Sequence, residues 1–388
     1  MPTLATKEYC TGCTACACVC PNGCITMVAD SDGFPYPSVD LQQCLDCGLC
    51  QQACPVLTHL PLPEQDPTAW AAFSQDEAIR LESSSGGVFT ELARSVLKQG
   101  GAVFGAAYNA QFEVEHICVN SEDALAKLRG SKYAQSHLGH TFQDVKLRLD
   151  QGQRVLFSGT PCQVGGLIAF LSRPYENLLT VDLVCHSVPS PKVWKTYVRY
   201  RAQQDNCGQM PESVNLRSKE TGWSRYQYAN RFQYAGNHVH IAKSGDSLYM
   251  KLFSRGLISR PSCAHCAFKG DRRSSDLTLG DFWGVWDIAP EMDDNKGTSL
   301  VLVHTPKGAQ LLDQLSKHLS LLPIPLEKAG LQNPAIYRSF HPHEKRDEVL
   351  SHIFSGNIGE CEKWVSTPKP SFPQRIRRKL SAMLRFLK

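Results

Sequence analysis

CTGCTACACVCP at residues 10–21 and CLDCGLCQQACP at residues 44–55 share the spacing C-x2-C-x2-C-x3-C-P. Cysteines at every third residue of a loop supply three ligands of a [4Fe–4S] cluster, and the last cysteine of such a run ligates the neighbouring cluster in two-cluster bacterial proteins. The two runs are offset by 34 residues, as an internal repeat would be. They predict two [4Fe–4S] clusters, with the ligand sets Cys10, Cys13, Cys16 and Cys54, and Cys20, Cys44, Cys47 and Cys50.

Zinc modules and disulfide frameworks also use C-x2-C pairs and are the alternatives. Because a duplicated three-cysteine loop is typical of neither, we favour iron–sulfur clusters. Cys18 and Cys24 fall outside the pattern and are predicted to be buried small residues. The chain has 17 cysteines, and because cluster ligands must be reduced thiols, we predict a cytoplasmic location.

The organisation along the 388 residues predicts a small and a large unit. The segment LPLPEQDP at residues 60–67 is typical of a linker. Beyond it, the apolar runs RVLFSG, LLTVDLVC and TSLVLVHT each precede a helical pattern, whereas residues 214–234 resemble antiparallel strands. We predict an α+β ferredoxin-like module at residues 1–60, a linker at 61–68, an α/β domain with a mixed sheet at 69–355, and a tail at 356–388.

The formal net charge of +4 is too small to indicate nucleic-acid binding. No segment reaches the roughly eighteen uncharged apolar residues of a membrane-spanning helix. Residues 371–388 combine apolar residues on one helical face with six positive charges, so they predict a basic amphipathic helix. It could contact an anionic membrane surface peripherally or dock on a partner, and the alternatives are that it packs on its own domain or frays. The charged residues are Arg375, Arg377, Arg378, Lys379, Arg385 and Lys388.

Two turns before predicted helices are candidate binding elements. ESSSGGVFTEL at residues 82–92 resembles an anion cradle at a helix N-terminus, and an ordinary helix cap is the alternative. FSGTPCQVGGL at residues 157–167 places Cys162 in the first turn of a helix, where the helix dipole lowers the pKa of a thiol. Cys162 is therefore a candidate reactive thiol or cluster ligand, or else a buried small residue.

Four cysteines of the larger domain could form one more metal site. Cys185 follows a predicted strand as Cys162 does, and Cys263 and Cys266 form a C-x2-C pair. Together the four are candidate ligands of a third [4Fe–4S] cluster; the alternatives are a structural zinc that uses His265 or His186, and unliganded thiols.

The loop GSKYAQS at residues 130–136 places a cation among small and polar residues. Lys132 is a candidate for holding a cofactor anion, and the alternative is a solvated loop lysine.

In order, the motifs SSGGVF, GSKYAQS, GTPCQVGGL, VDLVCHSVPSP, RPSCAHC and LTLGDFWG make the chain resemble the coenzyme F-420 hydrogenase/dehydrogenase beta-subunit family over residues 1 to about 340. It is most similar to a bacterial branch found near polysaccharide-synthesis genes. The resemblance implies that the larger domain is a flavoprotein domain, in which bound FAD exchanges hydride with a deazaflavin or another small organic substrate. The resemblance implies that the flavin nucleotide is contacted by Ser84, Ser85, Gly86 and Gly87, and that Lys132 lies near the isoalloxazine. It also implies that the inner wall of the site is formed by Thr160, Pro161 and Cys162. Lys132 and Cys162 are then the catalytic candidates.

These expectations describe an iron–sulfur flavoprotein oxidoreductase that exchanges electrons with an external donor or acceptor, such as a ferredoxin or a partner redox subunit. One alternative is a non-catalytic electron-transfer subunit that docks on a partner enzyme. Another is a scaffold that binds a glycan or a partner and retains the clusters for stability.

Overall fold

The cysteine-rich region folds into two short helices and a two-stranded antiparallel sheet in the computed structural model, which describes residues 2–58 and 60–366. The elements are α1 (Ala15–Val19), β1 (Ile25–Ala29), β2 (Pro35–Val39) and α2 (Leu49–Gln52). Both helices follow a residue with left-handed backbone, Thr14 with φ 65° and Gly48 with φ 74°. These two residues are related by the 34-residue offset, so the repeat in the sequence is also a repeat in backbone conformation.

The rest of the chain is built on an eight-stranded mixed sheet and a smaller three-stranded sheet. The further strands are β3 (Thr68–Ser74), β4 (Ala102–Tyr108), β5 (Val114–Val119), β6 (Val155–Ser158), β7 (Leu178–Leu183), β8 (Ser213–Ser218), β9 (Ala229–Gln233), β10 (Val239–Lys243), β11 (Leu277–Asp281), β12 (Ser299–Val303) and β13 (Leu319–Ile324). The large sheet has the order β13-β3-β12-β11-β7-β6-β4-β5, and the small antiparallel sheet has the order β10-β9-β8. Three neighbouring pairs of the large sheet are parallel: β4 with β6, β6 with β7, and β7 with β11. The other pairs of this sheet are antiparallel.

The remaining helices lie between or after these strands in the chain. They are α3 (Glu77–Glu82), α4 (Val88–Leu97), α5 (Glu122–Leu125), α6 (Thr141–Asp150), α7 (Pro161–Leu171), α8 (Pro191–Asn206), α9 (Leu248–Ser254), α10 (Val285–Ile288), α11 (Pro306–Gln314), α12 (Leu326–Ala329), α13 (Arg346–Phe354) and α14 (Glu362–Val365). The helices α7, α8 and α11 each begin with proline, whose missing N–H costs nothing at a helix start.

The main sequence predictions for this part are confirmed. The three predicted strand–turn–helix units are β6 to α7, β7 to α8 and β12 to α11, the sheet is mixed, and β8 pairs with β9 antiparallel. The central strands are apolar because they are covered on both faces, as in β12, all of whose residues are buried. The predicted amphipathic helix at residues 371–388 lies outside the described residues. Within residues 2–58 and 60–366, none of the helices combines the length and the apolar content that crossing a bilayer requires.

The first cysteine loop packs directly on the large domain. Cys13 belongs to a buried cluster with Phe142 and Phe157, and a Cβ atom at Gly166 of α7 would lie 2.9 Å from both Cβ and Sγ of Cys13. Real Cβ atoms almost never approach so closely, so this contact requires glycine at position 166. The cysteine-rich region is therefore seated on the first half of α7.

The substitution Gly166→Ala tests this contact. Alanine normally stabilises a helix by about 1 kcal/mol relative to glycine, whereas overpacking a core costs about 1–3 kcal/mol. We expect the overpacking to dominate here and the midpoint of thermal unfolding, followed by circular dichroism, to fall. Gly245→Ala, at a site with nothing within 4 Å of the added Cβ, is the matched control and should leave the midpoint unchanged. A rise in the midpoint for Gly166→Ala would contradict the contact.

Candidate iron–sulfur and cofactor sites

The structure brings together the four cysteines predicted for the second cluster. Cys20, Cys44, Cys47 and Cys50 line one small cavity at the outer end of the cysteine-rich region, and Cys47 is exposed to solvent. Cys24 is buried, as predicted, but its Sγ lies 3.3 Å from Sγ of Cys20 and it lines the same cavity. This outer site therefore has a fifth thiol beside the four that the spacing indicated.

Two of the four cysteines predicted for the first cluster contact the large domain: Cys13 packs on α7, and the carbonyl oxygen of Cys10 accepts from Arg260. Burial and the nearby thiols of Cys10 and Cys54 raise the pKa of Cys16 to about 12. Burial raises the pKa of Cys13 well above its usual range, and the neighbouring Cys16 adds to the effect. The thiols of Cys10, Cys13 and Cys54 are thus near that of Cys16, and we call the region of these four thiols the inner site.

Cys162, Cys185, Cys263 and Cys266 also meet, although they come from three separate parts of the chain. All four line a second small cavity, which we call the third site. Cys162 lies in the first turn of α7, Cys185 lies two residues after β7, and the C-x2-C pair lies in a 3₁₀ turn at Pro261–His265 and the residue after it. The donor set is four thiols, which is the ligand set of a [4Fe–4S] cluster.

The charges around the third site are positive. Arg260, Lys269 and Arg273 line it, and none of its described lining residues is a carboxylate. His186 also lines the site and its Nε2 is buried without a hydrogen-bond partner, whereas the ring of His265 packs at a tilt against Tyr9, with ring centroids 5.7 Å apart. Among residues 2–58 and 60–366, no three His, Cys, Asp or Glu side chains are grouped closely enough to hold a single metal ion such as zinc.

The predicted lowering of the pKa of the Cys162 thiol is wrong. Burial raises that pKa to about 11, and the neighbouring Cys266 thiol adds to the increase. Burial likewise raises the pKa of Cys185 to about 12. Desolvation outweighs the dipole of the helix at this position. Burial therefore disfavours a free reactive thiolate at Cys162, which leaves a cluster ligand and a buried small residue as the two interpretations of this thiol.

A cavity of about 840 Å³ lies at the carboxyl ends of the parallel strands, where ligands bind in open α/β sheets. Five basic side chains line it: Arg129, Lys132, Arg217, Lys251 and Arg255. Asp281 is the one carboxylate among its described lining residues, and it is paired with Arg217 Nη2 at 2.8 Å. Arg129 and Lys251 pair with Glu82 and Glu362, which lie outside the lining. Lys132 and Arg255 are the lining cations that no carboxylate of the described residues pairs with, so they could bind an anionic group of a ligand.

Most of the predicted cofactor-binding residues line this cavity. Ser84, Ser85, Gly87, Lys132, Thr160 and Cys162 are among them. Gly86 and Pro161 are not: a Cβ at Gly86 would lie 2.3 Å from the carbonyl oxygen of Ala72 on β3, and Pro161 lines the third site. Gly86 is therefore required for packing of the turn on the sheet, not for approach of a ligand.

Lys132 is held at the cavity wall by backbone carbonyls. Its Nζ donates to the oxygens of Arg129 at 2.7 Å and Lys127 at 2.9 Å. Burial lowers the pKa of Lys132 to about 7. The side chain faces the cavity, so an anion bound there would favour its charged form.

A histidine that the sequence analysis missed also lines the cavity. Burial lowers the pKa of His116 to about 4, so the ring is neutral. Its Nε2 lies 3.0 Å from the carbonyl oxygen of Ser158, which can only accept, so Nε2 carries the hydrogen. Nδ1 therefore accepts from Oγ of Ser136 at 2.9 Å.

The same hydrogen-bond chain continues to the third site. Gln163 Nε2 donates to Oγ of Ser136 at 2.8 Å, and its Oε1 accepts from the backbone N–H of Thr160 at 2.9 Å. Oγ1 of Thr160 lies 3.2 Å from Sγ of Cys162. The T-x-x-Q capping box at residues 160–163 was a sequence signal for Gln163, whereas no local pattern marks His116 or Arg217.

The third site and the large cavity share a wall. Cys162, Cys185 and His186 line both, and so does Thr11, which lies between the first two cysteines of the first run. Thiols that could hold a cluster are thus in direct contact with the space that could hold an organic cofactor.

Comparisons with known proteins agree with this geometry. The chain matches the family of the beta subunit of coenzyme F420 hydrogenase/dehydrogenase in two parts, the N-terminal part over residues 69–142 and the C-terminal part over residues 152–326. Residues 9–57 match the family described as "4Fe-4S dicluster domain".

Two curated relatives and one solved structure are similar to parts of the chain. The relative from Methanosarcina mazei, the F component of F(420)H(2) dehydrogenase, is 24% identical over 190 residues, which cover 46% of this chain and 53% of the relative. Coenzyme F420-dependent sulfite reductase of Methanocaldococcus jannaschii is 28% identical over 183 residues, which cover 45% of this chain and 27% of the relative. The chain thus spans about half or less of the length of these relatives.

The solved structure is a xenon-derivatised F420-reducing [NiFe] hydrogenase complex from Methanosarcina barkeri, with a TM-score of 0.46, 16% identity, and coverage of 77% of this chain and 91% of that chain.

The two parts of the beta-subunit family together account for most of the large domain, and the dicluster description accounts for the cysteine-rich region. The predicted resemblance is confirmed: the chain belongs to the coenzyme F420 hydrogenase/dehydrogenase beta-subunit family and carries an N-terminal 4Fe-4S domain.

Proposed function

We propose that the protein is an iron–sulfur flavoprotein oxidoreductase. Three [4Fe–4S] clusters would exchange single electrons with FAD in the large cavity. There, a small organic substrate or a deazaflavin would gain or lose two electrons as a hydride. The observation that carries the proposal is the shared wall. Cys162 and Cys185 line the third site and the large cavity at once, so an electron leaving the third site enters the cavity without crossing another layer of protein.

The order of the sites supports a path from the surface inward. Cys47 of the outer site is exposed, Cys13 of the inner site is buried against α7, and Thr11 of the inner loop lines the third site. The outer site is flanked by exposed leucines, with Leu45 at 64% and Leu49 at 38% exposure. An apolar surface around the outermost cluster suits the docking of an electron donor or acceptor protein.

The residues of the large cavity fit FAD. The Ser84–Gly87 turn leads into α4, and the basic side chains of the lining border a space large enough for a dinucleotide. FAD, when bound, supplies the conversion between one-electron and two-electron transfer. Lys132 would bind one of its negative charges, and the hydrogen bonds from His116 through Ser136 to Gln163 would hold the wall beside Cys162 in place.

The names of both relatives contain F420, which supports a deazaflavin as the two-electron substrate. The second candidate function is a non-catalytic electron-transfer subunit, which the apolar surface around Cys47 favours. Oxidation of a reduced deazaflavin by the isolated protein, with a viologen dye as electron acceptor, would support the enzyme. Reduction of clusters and flavin by dithionite without such turnover would support the non-catalytic role.

The cofactor content tests the proposal directly. Protein purified without oxygen should contain about twelve iron atoms and about twelve acid-labile sulfides per chain, for three cubane clusters, with one FAD in the acid extract. Cys185→Ser should lower iron to about eight, because only the third site loses a ligand. Cys207→Ser, at an exposed cysteine outside the three sites, is the control and should retain all the iron. Wild-type protein with eight irons or without flavin would contradict the corresponding part of the proposal.

Lys132 predicts a pH dependence of FAD binding. Because burial lowers the pKa of Lys132 to about 7 in the free protein, its charge is present below pH 7 and lost above it. A bound anion raises this pKa, so the affinity for FAD should fall on the order of tenfold as pH rises from about 6 to about 8.5. Flavin fluorescence titration of the FAD-free protein measures this.

Two lysine variants separate the cavity charge from general electrostatics. Lys132→Met should bind FAD more weakly at pH 6 and lose most of the pH dependence. Lys127→Met removes an exposed lysine from the 3₁₀ helix Ala126–Leu128, just before the loop of Lys132, and should keep both affinity and pH dependence. An unchanged pH profile in Lys132→Met would contradict the assigned role.

A further inference from the structure

Arg260 is a completely buried guanidinium between the cysteine-rich region and the large domain, at 0% exposure. Its Nε donates to the carbonyl oxygen of Cys10 at 2.8 Å, its Nη1 to Oε1 of Gln135 at 3.0 Å, and its Nη2 to the carbonyl oxygen of Pro35 at 3.0 Å. The ring of Tyr36 lies 4.2 Å from the guanidinium carbon. Every one of these partners is neutral.

The other buried arginines of the described chain have carboxylate partners. Arg217 pairs with Asp281 at 2.8 Å, Arg80 with Asp294 at 2.6 Å, and Arg273 with Asp182 at 3.5 Å. Within residues 2–58 and 60–366, no Asp or Glu forms an ion pair with Arg260. A buried charge without a counter-charge is strongly unfavourable, and stacking on an aromatic ring offsets only a small part of that cost.

Two of the proposed cluster sites flank this cation. Its Nε binds the backbone of Cys10, a predicted ligand of the inner site, and Arg260 itself lines the third site, three residues before Cys263. A [4Fe–4S] core with four thiolates carries net negative charge, and charge and hydrogen bonding around it set its reduction potential. Clusters on its two sides would thus supply the missing counter-charge of Arg260.

We propose that Arg260 is an electrostatic positioning residue shared by the inner and third clusters, and that it raises the reduction potential of both; this rests on the clusters of the proposed function. Reduction adds negative charge to a cluster, so a fixed cation favours the reduced form. Because Arg260 is buried and away from salt, its effect is poorly screened. It therefore couples the two clusters to one charge along the path to the cavity.

Arg260→Gln tests the proposal in the full-length holoprotein. Potentiometric titration followed by electron paramagnetic resonance should show the inner and third clusters shifted to more negative potential, with the outer cluster unchanged. Lys7→Gln is the matched control: Lys7 lies 5.1 Å from the centroid of the same Tyr36 ring, but its side chain is 66% exposed and pairs with Asp30. It should leave all three potentials unchanged, because solvent screens its charge.

Gln135→Glu provides a second variant that keeps the guanidinium. It places a carboxylate where Gln135 Oε1 now lies 3.0 Å from Nη1 of Arg260, and the adjacent cation keeps that carboxylate ionised. The inner and third clusters should again shift to more negative potential. This variant tests the proposal even where the Arg260→Gln protein loses its iron. Arg260→Lys keeps the positive charge but loses the planar guanidinium with its several N–H donors. It should shift the potential of either cluster less than Arg260→Gln or Gln135→Glu does.

Unchanged inner and third potentials in cluster-loaded Gln135→Glu protein, or equal shifts in Lys7→Gln, would overturn the proposal. This result is distinct from failure of the proposed function. Eight irons in the wild-type protein would show that the third cluster is not present. Arg260→Gln would then still be expected to shift the potential of the inner cluster.

Discussion

The close contact between Cys13 and Gly166 is the constraint on which the arrangement of sites depends. It seats the first cysteine loop on α7, and α7 is the helix that carries Cys162 in its first turn. A rigid helix therefore fixes the distance between a predicted ligand of the inner site and one of the third site. Any larger residue at position 166 would separate the two units and lengthen the step between them.

The parallel part of the large sheet positions everything on the other side of that contact. The carboxyl ends of β6 and β7 lead to Cys162 and Cys185, and β11 ends at Asp281, which pairs with Arg217 in the cavity. Neighbouring parallel strands end at the same edge of a sheet, so residues far apart in sequence meet there. The third site and the large cavity share a wall because both are built from these strand ends.

Local signals were enough to predict the cysteine runs, the strand–turn–helix units and the mixed sheet, because each depends on spacing or period within a short window. The same holds for the placement of Ser84 and Thr160 in turns before helices. Arg260 could not have been singled out, since its partners Cys10 and Gln135 are 250 and 125 residues away in the chain. The pKa of Cys162 was misjudged for a related reason: the helix dipole is visible in the sequence, but burial by distant segments is not.

Charge is distributed unevenly between the two ends of the proposed path. Residues 2–58 contain Lys7 as their one basic residue and five acids, whereas the third site and the large cavity are lined by arginine and lysine side chains. Acidic surroundings stabilise an oxidised cluster relative to a reduced one, and buried cations do the reverse. Under the proposed function, the third site and the large cavity thus hold electrons more favourably than the exposed outer site. Under the same proposal, a partner protein that docks on the acidic, leucine-flanked outer end would present a basic surface to it.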